Sequence, residues 1–239
     1  MNKDLAVLSY NISWEATHPP PAQNYGNNIE PLANYCHTFE NCLKNIITFL
    51  NKIVNDQNPI DFILLQETGS KSYNAIKDSL IEFKGILHEN EKCAILNRVT
   101  YDNLYIEISG NFGCADNGHR MPHRSQLSRD LRGRPILINF YGKANELFII
   151  VNVHAPHNYS EISIETDINW LLSTDNKIQQ IMGRPWSNIS VIVGGDFNQN
   201  INNLSIIISN QTYHVSVKGK EKTCCDGKYL KSKRKKKNY

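Results

Sequence analysis

Asp196 and Asn198 stand two residues apart at the end of the apolar segment Val191-Ile-Val-Gly-Gly-Asp-Phe-Asn-Gln199. On an extended chain, residues so spaced point the same way. A carboxylate can hold or orient a hard cation, and an amide beside it can reach a phosphate oxygen. Gly194 and Gly195 precede the pair and carry no side chains that bar close approach. Three further apolar segments end in polar groups of the same kind. Leu5-Ala-Val-Leu-Ser-Tyr-Asn11 closes on an amide, Ile60-Asp-Phe-Ile-Leu-Leu-Gln-Glu67 on a carboxylate, and Phe148-Ile-Ile-Val-Asn-Val-His-Ala-Pro156 on an imidazole. Phosphoester hydrolysis needs such groups to bind a divalent cation, to activate water and to protonate a leaving oxygen. Any one of these segments alone reads equally well as a hydrophobic strand running into a polar turn. Four of them point to chemistry.

Strand ends carrying Asn, Glu, His and then Asp-x-Asn, in that order, resemble the endonuclease/exonuclease/phosphatase superfamily. Its members include pancreatic-type deoxyribonucleases, abasic-site endonucleases, deadenylases, sphingomyelinases and inositol-polyphosphate phosphatases. The resemblance spans roughly residues 4 to 226, and Leu65-Gln-Glu67 with Gly195-Asp-Phe-Asn198 are its most specific motifs. It implies a metal-dependent phosphodiester hydrolase of nuclease lineage, with Glu67 binding Mg²⁺ (or Mn²⁺) and Asn11 contacting metal-bound water or phosphate. One firm carboxylate is chemically adequate, because octahedral Mg²⁺ keeps several waters. By the same resemblance Asp196 orients or deprotonates the attacking water and Asn198 holds a phosphate oxygen. His154 contacts the phosphate or protonates the leaving oxygen. Arg134, in Gly133-Arg-Pro135, matches an arginine that binds substrate phosphate, a task suited to its fixed fork of donors.

The pattern breaks near the C-terminus. In the family, a Thr-Cys-Cys-like strand is followed by a strand with an Asp and then by an Asp-His pair. Here Thr223-Cys-Cys-Asp226 is followed by a Lys/Arg-rich stretch, and no histidine follows His214. The expectation is a domain over residues 1–226 that lacks the last family strands, with impaired activity, and a basic tail over 227–239. Three readings of that tail stand: a nuclear-localisation or nucleic-acid arm, a solvated terminus, or out-of-frame translation. Substrate stays open among DNA, RNA, phospholipid and inositol phosphates. The rival to an enzyme is an inactive relative that binds nucleic acid or a protein partner.

Elements must carry these groups to one place. Phe39, Cys42, Leu43, Ile46, Leu50 and Ile53 recur at helical spacing after Thr38, a capping residue. A second helix is expected from about Ser72, with Tyr73, Ile76, Leu80 and Phe83 inward. Cys93–Arg98 and Leu104–Ile108 read as paired strands, and 134–141 pairs with 146–153 through a short turn. A helix over about 160–182 precedes the Val191 strand, and a short apolar stretch over 204–208 and two weak strands near 213–217 and 222–225 follow. Strands interleaved with helices and apolar on both faces argue for a layered α/β protein. The resemblance makes that a four-layer α/β/β/α sandwich of two mixed sheets, with the site where strand ends converge. His119 and His123 flank a proline, so the Arg-rich stretch around them reads better as a substrate-contacting loop than as a metal site.

Bulk properties exclude little. The 239 residues suit one sizeable core, and 40% hydrophobic with 21% charged residues is ordinary for a globular chain. The net charge of +3 misleads, because seven of the 26 Lys and Arg lie from Lys228 onward with no acid among them. Residues 1–227 are thus near −4, so charge gives no argument for nucleic acid at the body. The chain opens on no secretion signal and holds no run long enough to span a membrane. A cytoplasmic or nuclear, unsecreted protein is expected, with its six cysteines mainly free thiols.

Overall fold

A computed structural model describes residues 5–12, 39–55, 60–89, 91–113, 134–156, 159–174, 176–199 and 201–216. The loop over 14–35, the His119–His123 stretch, the strand near 222–225 and the basic tail lie outside those residues. In chain order the elements are β1 (Val7–Asn11), α1 (Phe39–Val54), β2 (Phe62–Gln66), α2 (Ser70–Ser79), β3 (Phe83–Leu87), β4 (Cys93–Arg98) and β5 (Asp102–Asn111). There follow β6 (Pro135–Lys143), β7 (Glu146–His154), α3 (Glu161–Thr174), α4 (Asn176–Met182), β8 (Asn188–Asp196), β9 (Asn203–Ile208) and β10 (Gln211–Ser216).

Two four-stranded sheets form, ordered β1-β2-β4-β3 and β5-β6-β7-β8, with β9 and β10 as a separate hairpin. Both sheets are mixed, since β1–β2 and β7–β8 are parallel and their other pairs antiparallel. Successive residues of a strand face opposite ways, and β2 shows what that does here. Ile63 and Leu65 face α1 and α2, packing with Leu43, Ile46, Leu50 and Ile76. Phe62 and Leu64 face the other sheet, packing with Leu137, Tyr141 and Ile150. Beyond the second sheet, Ile149 and Val151 pack with Ile164, Ile168 and Ile178 of α3 and α4. Three apolar seams between four layers make an α/β/β/α sandwich. Burial on both faces is why the strands are nearly continuous apolar runs.

The structure corrects several local expectations. β4 and β5 do not pair: β4 lies between β2 and β3, while β5 opens the second sheet. The three residues between them make a tight turn, with the Tyr101 N–H donating to the Arg98 carbonyl at 3.0 Å. Tyr101 then inserts its ring between the sheets, 4.7 Å from Phe62 and 5.4 Å from Phe148. That inserted ring carries the chain from one sheet to the other. Phe83 belongs to a short strand, β3, and not to the helix before it. The helix expected over 160–182 is two helices. Cys42, on α1, is disulfide-bonded, which overturns the free-thiol expectation for that residue. Pairing depends on how close two Cα atoms come in space, which linear spacing does not report. Cys93 is a free, fully buried thiol, and burial pushes its pKa well up, so it stays protonated. Among the described residues no helix is long and apolar enough to cross a membrane.

The β6–β7 connection turns on Ala144 (φ 47°) and Asn145 (φ 66°), both left-handed. Such two-residue turns match strand twist but favour Asn and Gly. Ala144→Asn is expected to raise stability by about 1 kcal/mol, read as a higher urea midpoint at unchanged slope. The outer edge of β9 is covered by α3. Glu161 accepts from the Asn203 N–H (3.0 Å), Glu165 from Ser205 (2.5 Å) and Asn169 from Ile207 (2.8 Å). Four helical residues advance about 6 Å and two strand residues about 6.6 Å. The two spacings nearly match, so one helix face caps a strand edge otherwise open to pairing.

Candidate active site

Register brings the polar groups together. In the first sheet Asn11 lies opposite Gln66, so Glu67 emerges one residue beyond Asn11. In the second, His154 lies opposite Asp196. Each pair is parallel, so each sheet delivers two C-terminal strand ends side by side. The sheets face each other with β1 and β2 against β8 and β7, so all four ends meet at one rim of the sandwich.

Asn11 spans the gap between the sheets. Its amide donates to an Asp196 carboxylate oxygen at 2.7 Å and to Glu67 Oε1 at 3.4 Å. Glu67 Oε1 also lies 3.3 Å from His154 Nε2. One ligand atom from each of Glu67, His154 and Asp196 fits within 4.8 Å of the other two. Two carboxylates and an imidazole at that spacing could hold one divalent cation. The geometry thus adds His154 and Asp196 to Glu67 as candidate ligands. His154 is 5% exposed at its side chain and Glu67 24%, so the cluster sits at a rim that solvent reaches through Glu67.

The backbone is bent to achieve this. Glu67 has φ 54°, a conformation uncommon for a residue of its size and one that costs about 1–3 kcal/mol. It turns the carboxylate out of the strand direction, toward Asn11 and His154. Gly194 admits Leu64 of the facing sheet, whose Cδ1 would lie 2.6 Å from an added Cβ. Gly195 has φ 141°, and a Cβ there would fall 2.0 Å from the Val153 carbonyl oxygen. The first glycine sets how closely the sheets approach. The second sets how closely β8 approaches β7, just before Asp196.

The other expected residues also reach this rim. The Arg134 guanidinium meets the His154 ring, and the Arg134 carbonyl accepts from Phe112 N–H at 3.0 Å, which holds the start of β6. Asn198 has φ 53°; its backbone N–H donates to Asp196 Oδ1 at 3.0 Å. Its side-chain amide donates to the Ala155 carbonyl at 2.7 Å. Asn198 therefore fixes the Asp196 carboxylate as well as lying beside it. All six expected residues gather within two sheet ends. Gln66, although part of the Leu65-Gln-Glu67 motif, and Asn152 receive no role from the sequence; a lone polar residue inside an apolar strand run is the signal that marks them.

No family model matches the chain, and no curated protein matches it. Among solved structures, an endonuclease/exonuclease/phosphatase from Bacteroides vulgatus superposes with TM-score 0.53 at 17% identity, over 83% of this chain and 67% of that one. This chain has the endonuclease/exonuclease/phosphatase fold. Solved structures of D. rerio TDP2 with single-strand DNA product (TM-score 0.48, 16% identity) and of ANGEL2, a 2',3'-cyclic phosphatase (TM-score 0.48, 22% identity), are also similar to it. Each aligns with 82% of this chain, which covers 62% and 54% of theirs. The chain thus spans less than two thirds of either. At these identities the endonuclease/exonuclease/phosphatase likeness is one of fold.

Proposed function

We propose that the protein is a divalent-metal-dependent phosphoester hydrolase, with polynucleotide phosphodiesters as the first substrates to test. The observation that carries this reading is the meeting of Asn11, Glu67, His154 and Asp196 from four strand ends of two sheets. Glu67, with Asp196 in reach, would hold the cation, and His154 would keep its site-facing nitrogen for the substrate. When bound, that cation neutralises charge on the phosphoryl oxygens and lowers the pKa of a coordinated water. The remaining work falls to the chain itself. Asp196, held by Asn11 and by the Asn198 backbone, orients the attacking water and takes its proton. Arg134 and His154 present nitrogen donors side by side to a phosphoryl oxygen, and His154 can pass a proton to the leaving oxygen.

DNA, RNA and phospholipid substrates, each assayed with Mg²⁺ or Mn²⁺ and again with EDTA, test the reading. Turnover that EDTA abolishes, and that Glu67→Gln lowers at least 100-fold at fixed metal (about the low end for a lost catalytic group), supports it. Hydrolysis indifferent to both EDTA and Glu67→Gln refutes it. Salt-dependent binding of nucleic acid without turnover by the wild type would move the protein to the binding class.

A further inference from the structure

Directly behind the candidate active site, a group of side-chain hydrogen bonds crosses the seam between the two sheets. Asn152 of β7 is fully buried on the side of the strand it shares with Ile150, facing the seam that Leu64, Cys93 and Ile95 line from the other sheet. Its Oδ1 accepts from Gln66 Nε2 at 2.7 Å. Its Nδ2 donates to the carbonyls of Leu65 (2.9 Å) and Ala94 (2.8 Å), which belong to adjacent strands of the facing sheet. Gln66, 1% exposed, also donates to the Leu64 carbonyl (3.1 Å) and to Ser9 Oγ on β1 (3.3 Å). Two side chains thus tie together β1, β2, β4 and β7. An apolar pair packs a seam but lets it slide, because burial has no direction. Hydrogen bonds of fixed length and angle do not.

Their placement along the strands matters. Asn152 is two residues before His154 and on the same side of β7, and Gln66 immediately precedes Glu67, where the backbone turns left-handed. Asn11 lies opposite Gln66 in the sheet, and its next residue, Ile12, donates its N–H to the Gln66 carbonyl at 3.0 Å. Any slip between the sheets at this point passes within one or two residues to all the groups that would hold the cation.

We propose that Asn152 and Gln66 are positioning residues: their inter-sheet hydrogen bonds set the spacing of Glu67 and Asn11 on one sheet against His154 and Asp196 on the other. The role in metal binding rests on the functional reading above. The clamp itself does not. Outer partners of metal ligands commonly account for about 10–100-fold in metal affinity or activity, and that is the effect expected here.

The test uses the full chain with Asn152→Leu and the double variant Gln66→Leu/Asn152→Leu. The double variant removes both partners, so neither buried polar side chain is left to face an unpaired mate. Two readouts are taken on samples shown by circular dichroism to be folded. The first is Mn²⁺ affinity without substrate, with kcat and KM where turnover exists. The second is amide exchange at Ile12 and Ala155, which close the strand ends, compared with Leu64 and Ile149 inside the strands. The expected result is Mn²⁺ binding weakened about 10–100-fold and kcat lowered with KM little changed. Exchange at Ile12 and Ala155 rises about ten-fold or more relative to Leu64 and Ile149. Unchanged Mn²⁺ affinity with exchange rising evenly at all four amides means ordinary core packing and overturns the proposal. A wild type that binds no Mn²⁺ would sink the functional reading, and the exchange comparison would still decide the clamp.

Discussion

Asp196→Asn is expected to lower metal-dependent phosphoester turnover about 10²–10⁴-fold while the protein stays folded. The substitution keeps the size of the side chain and removes its charge and one acceptor. In the native site both carboxylate oxygens are used: one accepts from the Asn11 amide at 2.7 Å, the other from the Asn198 backbone N–H at 3.0 Å. An asparagine must turn its own NH₂ toward one of those donors. That contact is lost, and with it part of the alignment of Asn11 with Glu67. In the proposed reaction the proton acceptor for the attacking water disappears as well. Steady-state kinetics at saturating Mg²⁺ or Mn²⁺ checks this, beside a thermal melt to exclude unfolding. Activity within a few-fold of wild type would remove Asp196 from the chemistry.

Among the described glycines, Gly195→Ala should be the most damaging single-methyl change, costing about 4 kcal/mol or more. Two separate effects combine. The backbone has φ 141°, which side-chain-bearing residues rarely adopt, and the new methyl would fall 2.0 Å from a backbone oxygen, Val153 O. Backbone cannot swing aside as a side chain can. Gly194→Ala is the control one residue away. There the obstacle is Leu64 Cδ1 at 2.6 Å, the end of a flexible side chain, and overpacking of about 1–3 kcal/mol is expected. Urea unfolding of the two variants tests the ranking. Equal losses would mean that the close approach of β8 to β7 is not what Gly195 serves.

Much of this site is legible in sequence because strands make short-range promises that the fold keeps. An apolar run ending in a polar residue places that residue at a sheet rim, and Asn11, Glu67, His154 and Asp196 all obey this rule. Asn198 follows from the two-residue period, with the addition that its own side chain bonds Ala155. The layered α/β architecture follows from strands apolar on both faces, and α1 from the spacing of Cys42, Leu43, Ile46 and Leu50, all buried. Boundaries are less legible. Phe83-Lys-Gly-Ile-Leu87 contains a glycine and only five residues, yet Gly85 is what lets Tyr73 and Leu96 close over that strand.

What sequence alone determined is which residues stand at strand ends and in what chemical order, since side-chain type and the alternation of a strand are local properties. Only the tertiary structure decided which strands are neighbours, as in the parting of β4 from β5 into different sheets at Tyr101. It alone decided that Asn11 bridges two carboxylates from separate sheets, that Cys42 is disulfide-bonded, and that Asn152 and Gln66 lock the seam behind the site. The physical reason is the same for each. Sheet-to-sheet register and cross-sheet hydrogen bonds depend on how two faces pack, and the linear chain carries that information only through the sum of its contacts.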